Sequence, residues 1–235
     1  MPLRCHIALV TEDRRPENEA APDSDAIERA HAVYTPLMLS VYDVIVHGIS
    51  NRFAWRCSTE RLIEFYRANL SPDHLEAGVG TGYFIDGSAS QFRRLVLIDL
   101  NRNCLVRAEQ RLARFNPSVH QVNLLAPIKL DLAPFASVGL TYVLHCLPGE
   151  LSDKLAAIDN LRPLMQDKAL LFGATILGRG TAQNFAARRL LNLYNAKGIF
   201  NNGEDDLASL LDGLRRRFDQ VDVEVQGCVA LFRAA

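Results

Sequence analysis

The sequence predicts an α/β fold organised around a doubly wound, mostly parallel sheet. Three observations carry the prediction. Short apolar runs alternate with amphipathic segments from Pro72 onward; the glycine-rich stretch HLEAGVGTGYF (residues 74–84) follows one of the first runs; and the chain closes on VDVEVQGCVALFR, two stretches around a Gln226-Gly227 turn. Strand–helix alternation of this kind stacks strands in parallel with right-handed crossovers. In such sheets a ligand sits beyond the carboxyl ends of the strands, near the point where strand order reverses. At 235 residues the chain holds one large α/β domain or two small ones.

The elements follow in order. TEDRRPENEAAPDSD (residues 11–25) is polar and carries Pro16 and Pro22, so residues 1–25 read as a flexible arm. From residue 26 the pattern turns helical and aromatic, with two or three short helices expected up to Trp55 and a break or helix start at Pro36. Ser58-Thr59-Glu60 opens another helix, in which Leu62, Phe65, Tyr66 and Leu70 share one face. Residues 26–71 are thus a helical segment ahead of a sheet domain over residues 72–235. In that domain, residues 74–79 form the first strand and LVLIDL (95–100) the second, a continuous apolar run that suits a parallel sheet covered on both faces. A helix near residues 83–92 lies between them. Leu105, Ala108, Leu112 and Phe115 line one face of the next helix, stopped by Pro117. Strands then read at HQVNLL, SVGLTYVLHCL and KALLFGATIL, and helices at ELSDKLAAIDNLRPLM, NFAARRLLNLYNAKG and DDLASLLDGLRRRF, before a terminal hairpin.

Composition narrows the function classes. The formal net charge of −1 supplies no global basic field for DNA or RNA. The five cysteines are scattered and form no CxxC, which argues against a disulfide framework or a zinc site. No metal-ligand cluster stands out. No apolar run is long enough to cross a bilayer, and the apolar stretch near the N-terminus is short for an export signal, so a cytoplasmic protein is expected. The run Arg215-Arg216-Arg217 sits at a helix C-terminal end with Asp205, Asp206 and Asp212 before it, which reads as a solvated face.

The glycine loop decides the ligand class. Gly78, Gly80 and Gly82 are spaced G-x-G-x-G, whereas the dinucleotide fingerprint is G-x-G-x-x-G, whose third glycine is replaced here by Tyr83. The loop lacks the Gly-Lys-Ser/Thr of a phosphate-binding loop. Glu76 stands two residues before the first glycine, and Asp99 closes the second strand, where a carboxylate can accept from both hydroxyls of a ribose. Two acids and no phosphate grip suit a nucleoside cofactor with a cationic amino group, such as S-adenosylmethionine.

Residues 76–82, EAGVGTG, resemble the first motif, E/D-x-G-x-G-x-G, of the class I S-adenosylmethionine-dependent methyltransferases, in particular small-molecule, type 11/12-like members. The resemblance spans roughly residues 30–235 and includes Asp99, the VLHCLPG segment and the terminal hairpin. It implies a Rossmann-like, doubly wound, seven-stranded sheet with an antiparallel C-terminal strand. It implies that Glu76, Gly78, Val79, Gly80, Thr81 and Gly82 line the methionine part of the cofactor, that Asp99 holds the ribose, and that Leu100, Asn123 and Leu124 meet the adenine. Tyr142, one turn before His145, is expected to be a further cofactor contact. Asn123 stands where members often have Asp, and Ala136 where they often have Asp before the fourth strand.

The resemblance also implies S-adenosylhomocysteine as product and methyl transfer to an oxygen or nitrogen of a small molecule. His145 is the candidate general base, and the alternative is that it shapes the turn into Pro148. Residues 26–71 are expected to lid the site, with Tyr34, Tyr42, His47 and Trp55 facing the acceptor; the alternative is plain packing on the sheet. Lys197 to Gly203 are a possible pocket wall. TYVLHC in place of NPPY after the fourth strand argues against adenine, cytosine or glutamine methylation. Rival readings are an RNA or protein methyltransferase and a non-catalytic S-adenosylmethionine-binding module. A monomer or homodimer is expected.

Overall fold

The computed structural model describes residues 50–88 and 91–235. The arm at residues 1–25 and the lid residues Tyr34, Tyr42 and His47 lie outside them. A wide π-helical turn over residues 50–55 leads into α1 (Thr59–Asn69). There follow β1 (Asp73–Ala77), α2 (Tyr83–Ser88), β2 (Arg94–Asp99), α3 (Arg102–Arg111), β3 (Ser118–Gln121) and β4 (Phe135–Thr141). The chain continues through α4 (Leu151–Lys154), α5 (Ala156–Leu161), β5 (Met165–Ile176), α6 (Phe185–Ala196), α7 (Leu207–Arg215), β6 (Val221–Gln226) and β7 (Val229–Ala234).

The helices start where short polar side chains replace the missing backbone partners. Ser58 Oγ accepts from Arg61 N–H, Asn101 from Asn103, Asn184 from Ala187 and Asp206 from Ser209. On α1, Leu62, Phe65 and Tyr66 are buried as the periodicity requires. The expected single helix over residues 150–165 is two short helices, α4 and α5, closed by a 3₁₀ turn that holds Pro163.

The seven strands order as β3-β2-β1-β4-β5-β7-β6. All pairings from β3 to β5 are parallel, and β7 runs antiparallel to both β5 and β6. The sheet is therefore the Rossmann-like, doubly wound architecture with an antiparallel C-terminal strand. Leu75, Val96, Val138 and Leu171 face one core layer, while Leu95, Leu97 and Phe172 face the other. Chain order reverses between β1 and β4, and that point places the site.

Behind the sheet, Lys154 of α4 is fully buried and donates to both oxygens of Asp205 (2.8 and 2.7 Å) and to Asn201 O (2.6 Å). This pair pins the segment between α6 and α7. The arginine run is a solvated face: Arg216 pairs with Asp212, and Arg217 with Asp159. Among the described residues no helix is long and apolar enough to cross a membrane.

Candidate cofactor and active site

A cleft opens at the carboxyl ends of β1, β2 and β4. Glu76, Gly78, Val79, Gly80 and Thr81 form its floor, and Asp99, Leu100 and Asn101 one side. Residues 122–124 close the far end, and Thr141, Tyr142, Val143, Cys146 and Leu147 the other wall.

The loop after β1 is held from below. Gly78 N–H donates to Ile98 O at 2.7 Å, and Gly80 N–H to Asp99 Oδ2 at 3.1 Å. A Cβ on Gly78 would lie 2.2 Å from Val143 Cγ2, so only glycine lets β1 and the β4 loop close together. Gly80, at φ +54°, has nothing within 4 Å of where its Cβ would stand, so its bare backbone borders open cleft. Gly82 differs from the expectation. It does not line the cleft; its Cβ position is 3.0 Å from Leu112, so its smallness lets the start of α2 pack close to the end of α3.

Among the described residues, charge in the cleft has one sign: Glu76 and Asp99 are acidic, and no lysine or arginine lines it. Two phosphates would meet no counter-charge there, whereas a cation would. Asp99 receives N–H groups from Gly80 and Asn101 (3.1 and 2.8 Å), yet burial dominates and pushes its carboxyl up to about 6. Cys104 and Cys146 also line the cleft. Burial pushes both thiols up, Cys146 to about 12, so neither presents a thiolate that would compete for a methyl group. Thr141 Oγ1 is buried at the wall and makes no hydrogen bond of ordinary length. An acid-lined, phosphate-averse cleft with exposed backbone fits S-adenosylmethionine.

Every other expected cofactor residue reaches this cleft: Leu100, Asn123, Leu124 and Tyr142 join the five of the floor and Asp99. Asn123 Oδ1 already accepts from Leu125 N–H at 3.0 Å, which leaves it one lone pair. Tyr142 adopts φ +60°, a conformation that costs a non-glycine residue about 1–2 kcal/mol and is retained mainly where surroundings enforce it. Its hydroxyl donates to Asn51 Oδ1 at 3.0 Å, while Asn51 Nδ2 donates to Thr59 Oγ1 at 3.1 Å.

Two expected residues sit elsewhere. His145 is buried in the 3₁₀ turn after β4 and does not line the cleft. Its Nδ1 receives Ile176 N–H at 3.4 Å, and its ring packs against Phe200 at 4.5 Å. Burial, helped by the Lys154 charge, pushes its pKa down to about 3, so it is a neutral packing group, unsuited in this position to take a proton from an acceptor. Trp55 is buried in the core, 6.0 Å from Phe200, because its large apolar ring fills the space beneath the 197–203 segment. That segment is no wall of the cleft: Phe200 and Asn202 are both buried behind it. Sequence reasoning missed Thr141 and the groups beneath Glu76, which strand register and the packing of α1 bring together.

No family model matches the chain. It is 37% identical over 222 residues to the methyltransferase aurB of Calcarisporium arbuscula, covering 88% of this chain and 96% of that relative. It is 34% identical over 216 residues to the physcion biosynthesis cluster O-methyltransferase of Aspergillus chevalieri, covering 91% and 97%. Among solved structures, the complex of DhpI with S-adenosylhomocysteine superposes with a TM-score of 0.65 over 89% of this chain and 96% of that one, at 16% identity, which speaks to fold alone. The chain belongs to the class I S-adenosylmethionine-dependent methyltransferases.

Proposed function

We propose that this enzyme transfers a methyl group to an oxygen or nitrogen of a small molecule, a secondary metabolite being the favoured class. The observation that carries the reading is the end-to-end likeness to the physcion-cluster relative, whose name specifies an oxygen acceptor in such a cluster. S-adenosylmethionine, when bound, supplies the electrophilic methyl and its own leaving group. The chain's task is then to hold and orient, and a protein base is optional. Glu76 and the loop over residues 78–81 would hold the amino-acid end, Asp99 the ribose hydroxyls, and Leu100, Asn123 and Leu124 the adenine. Residues 26–71 would form the lid, with Tyr34, Tyr42 and His47 toward the acceptor. The Tyr142–Asn51 hydrogen bond supports this, since it joins the segment before α1 to the cleft wall. His145 and Trp55 are left out of these roles for the reasons given above. A monomer or homodimer in the cytoplasm completes the proposal.

Methyl-labelled S-adenosylmethionine incubated with the enzyme and a cell extract, then fractionated by size, tests the acceptor. Label in the small-molecule fraction is expected. Label in RNA or protein would favour those acceptors, and no label despite cofactor binding would favour a binding module.

The Asp99 carboxyl also predicts a pH dependence. Its folded pKa of about 6 lies above the ordinary value of 3.8, so its own contribution to fold stability is fully present below pH 3.8 and fades as pH rises through 6. Cofactor binding runs the other way, because the ionised form accepts both hydroxyls. S-adenosylhomocysteine should bind about tenfold tighter at pH 7 than at pH 5, with the inflection near 6. Asp99→Asn should bind weakly and without that slope, as calorimetry at several pH values would read.

A further inference from the structure

Glu76 does not face the cleft alone. Its Oε1 accepts from the Tyr66 hydroxyl at 2.6 Å, and its Oε2 lies 2.9 Å from His74 Nε2. Tyr66 comes from α1 and His74 from two residues earlier on β1, the same face of the strand. His74 Nδ1 is in turn 2.8 Å from Ser137 Oγ, which accepts from Ser71 N–H at 3.0 Å. Both rings pack on Phe172, at 5.1 and 5.7 Å. Tyr66, His74, Glu76 and Ser137 are all buried. The slot for the carboxylate exists because residue 139, opposite Glu76 on β4, is glycine: a Cβ there would stand 2.1 Å from Glu76 Oε2.

We propose that Tyr66 and His74 are positioning residues that fix the Glu76 carboxylate for the amino-acid end of the cofactor. The inference rests on the cofactor orientation proposed above. A buried carboxylate is costly unless its lone pairs are satisfied, and an apolar filling of the same volume would hold the sheet at least as well. What the donors add is a single carboxylate orientation at the cleft floor, with lone pairs left over for a ligand ammonium. Burial and the Glu76 charge push the Tyr66 hydroxyl well above its ordinary pKa, so it stays a donor. His74 thus bridges Glu76 and Ser137, and Ser137 Oγ also donates to Ser71 Oγ at 3.1 Å, so the serine anchors the ring that meets the carboxylate.

The test compares two ligands on the full chain by calorimetry. S-adenosylhomocysteine carries the amino-acid chain; 5′-methylthioadenosine has the same nucleoside and sulfur without it. Tyr66→Phe and His74→Leu should each weaken S-adenosylhomocysteine about tenfold and leave methylthioadenosine within about twofold. His74→Gln, which keeps an N–H donor, should recover most of the loss. Gly139→Ala should give the same contrast by displacing the carboxylate without touching either donor, and it serves if the Tyr66 or His74 variants fold poorly. Equal weakening of both ligands, as a packing role would give, or unchanged S-adenosylhomocysteine affinity overturns the proposal. Failure of the unmutated protein to bind S-adenosylhomocysteine would instead overturn the cofactor reading beneath it.

Discussion

Gly80→Val is expected to weaken S-adenosylhomocysteine binding by about a hundredfold or more while the sheet stays folded. The Cβ position has no described atom within 4 Å, and Gly80 lines the cleft, so the added volume falls in the cleft itself. The backbone at φ +54° adds about 1–2 kcal/mol of strain for a residue with a Cβ, which lowers the melting temperature modestly and leaves the chain native at 25 °C. Calorimetry reads the binding and circular dichroism the fold. Binding at the unmutated affinity would mean that no ligand lies along this loop.

Lys154→Ala is expected to produce the largest loss of stability. The Lys154–Asp205 pair is buried, and truncating the lysine leaves the Asp205 carboxylate and Asn201 O without their donor. Breaking a buried pair on one side costs about 3–5 kcal/mol. Burial already pushes the Asp205 carboxyl above its ordinary value even with the lysine present, so the orphaned acid would neutralise by protonation. Urea unfolding would measure the loss. The pair Lys154→Met with Asp205→Leu should regain much of it, because no charge is then stranded. Neither residue lines the cleft, so the folded fraction should bind S-adenosylhomocysteine as before.

Much of the fold could be read directly from residue patterns. Continuous apolar runs at residues 95–98 and 169–176 became central strands, and Ser58 marked a helix start because its short oxygen-bearing side chain caps it. The third strand was displaced: HQVNLL suggested residues 120–125, but β3 is Ser118–Gln121. It lies at the sheet edge, where pairing with β2 rather than apolar content fixes its position.

The floor of the site was equally legible, because a glycine loop flanked by acids announces itself locally. The supports beneath it were not. His74, Ser137 and Gly139 acquire a shared purpose only through the register of β1 against β4, and Tyr66 only through the packing of α1. His145 misled for the same reason: a histidine after a strand resembles a site residue until tertiary packing tucks it under Phe200.

Hydrogen–deuterium exchange of the full chain with and without S-adenosylhomocysteine tests the central claim most directly. Protection concentrated at residues 76–82, 99–101, 122–124 and 141–147 is the predicted result. Saturable binding with protection elsewhere and none at these four segments would contradict it.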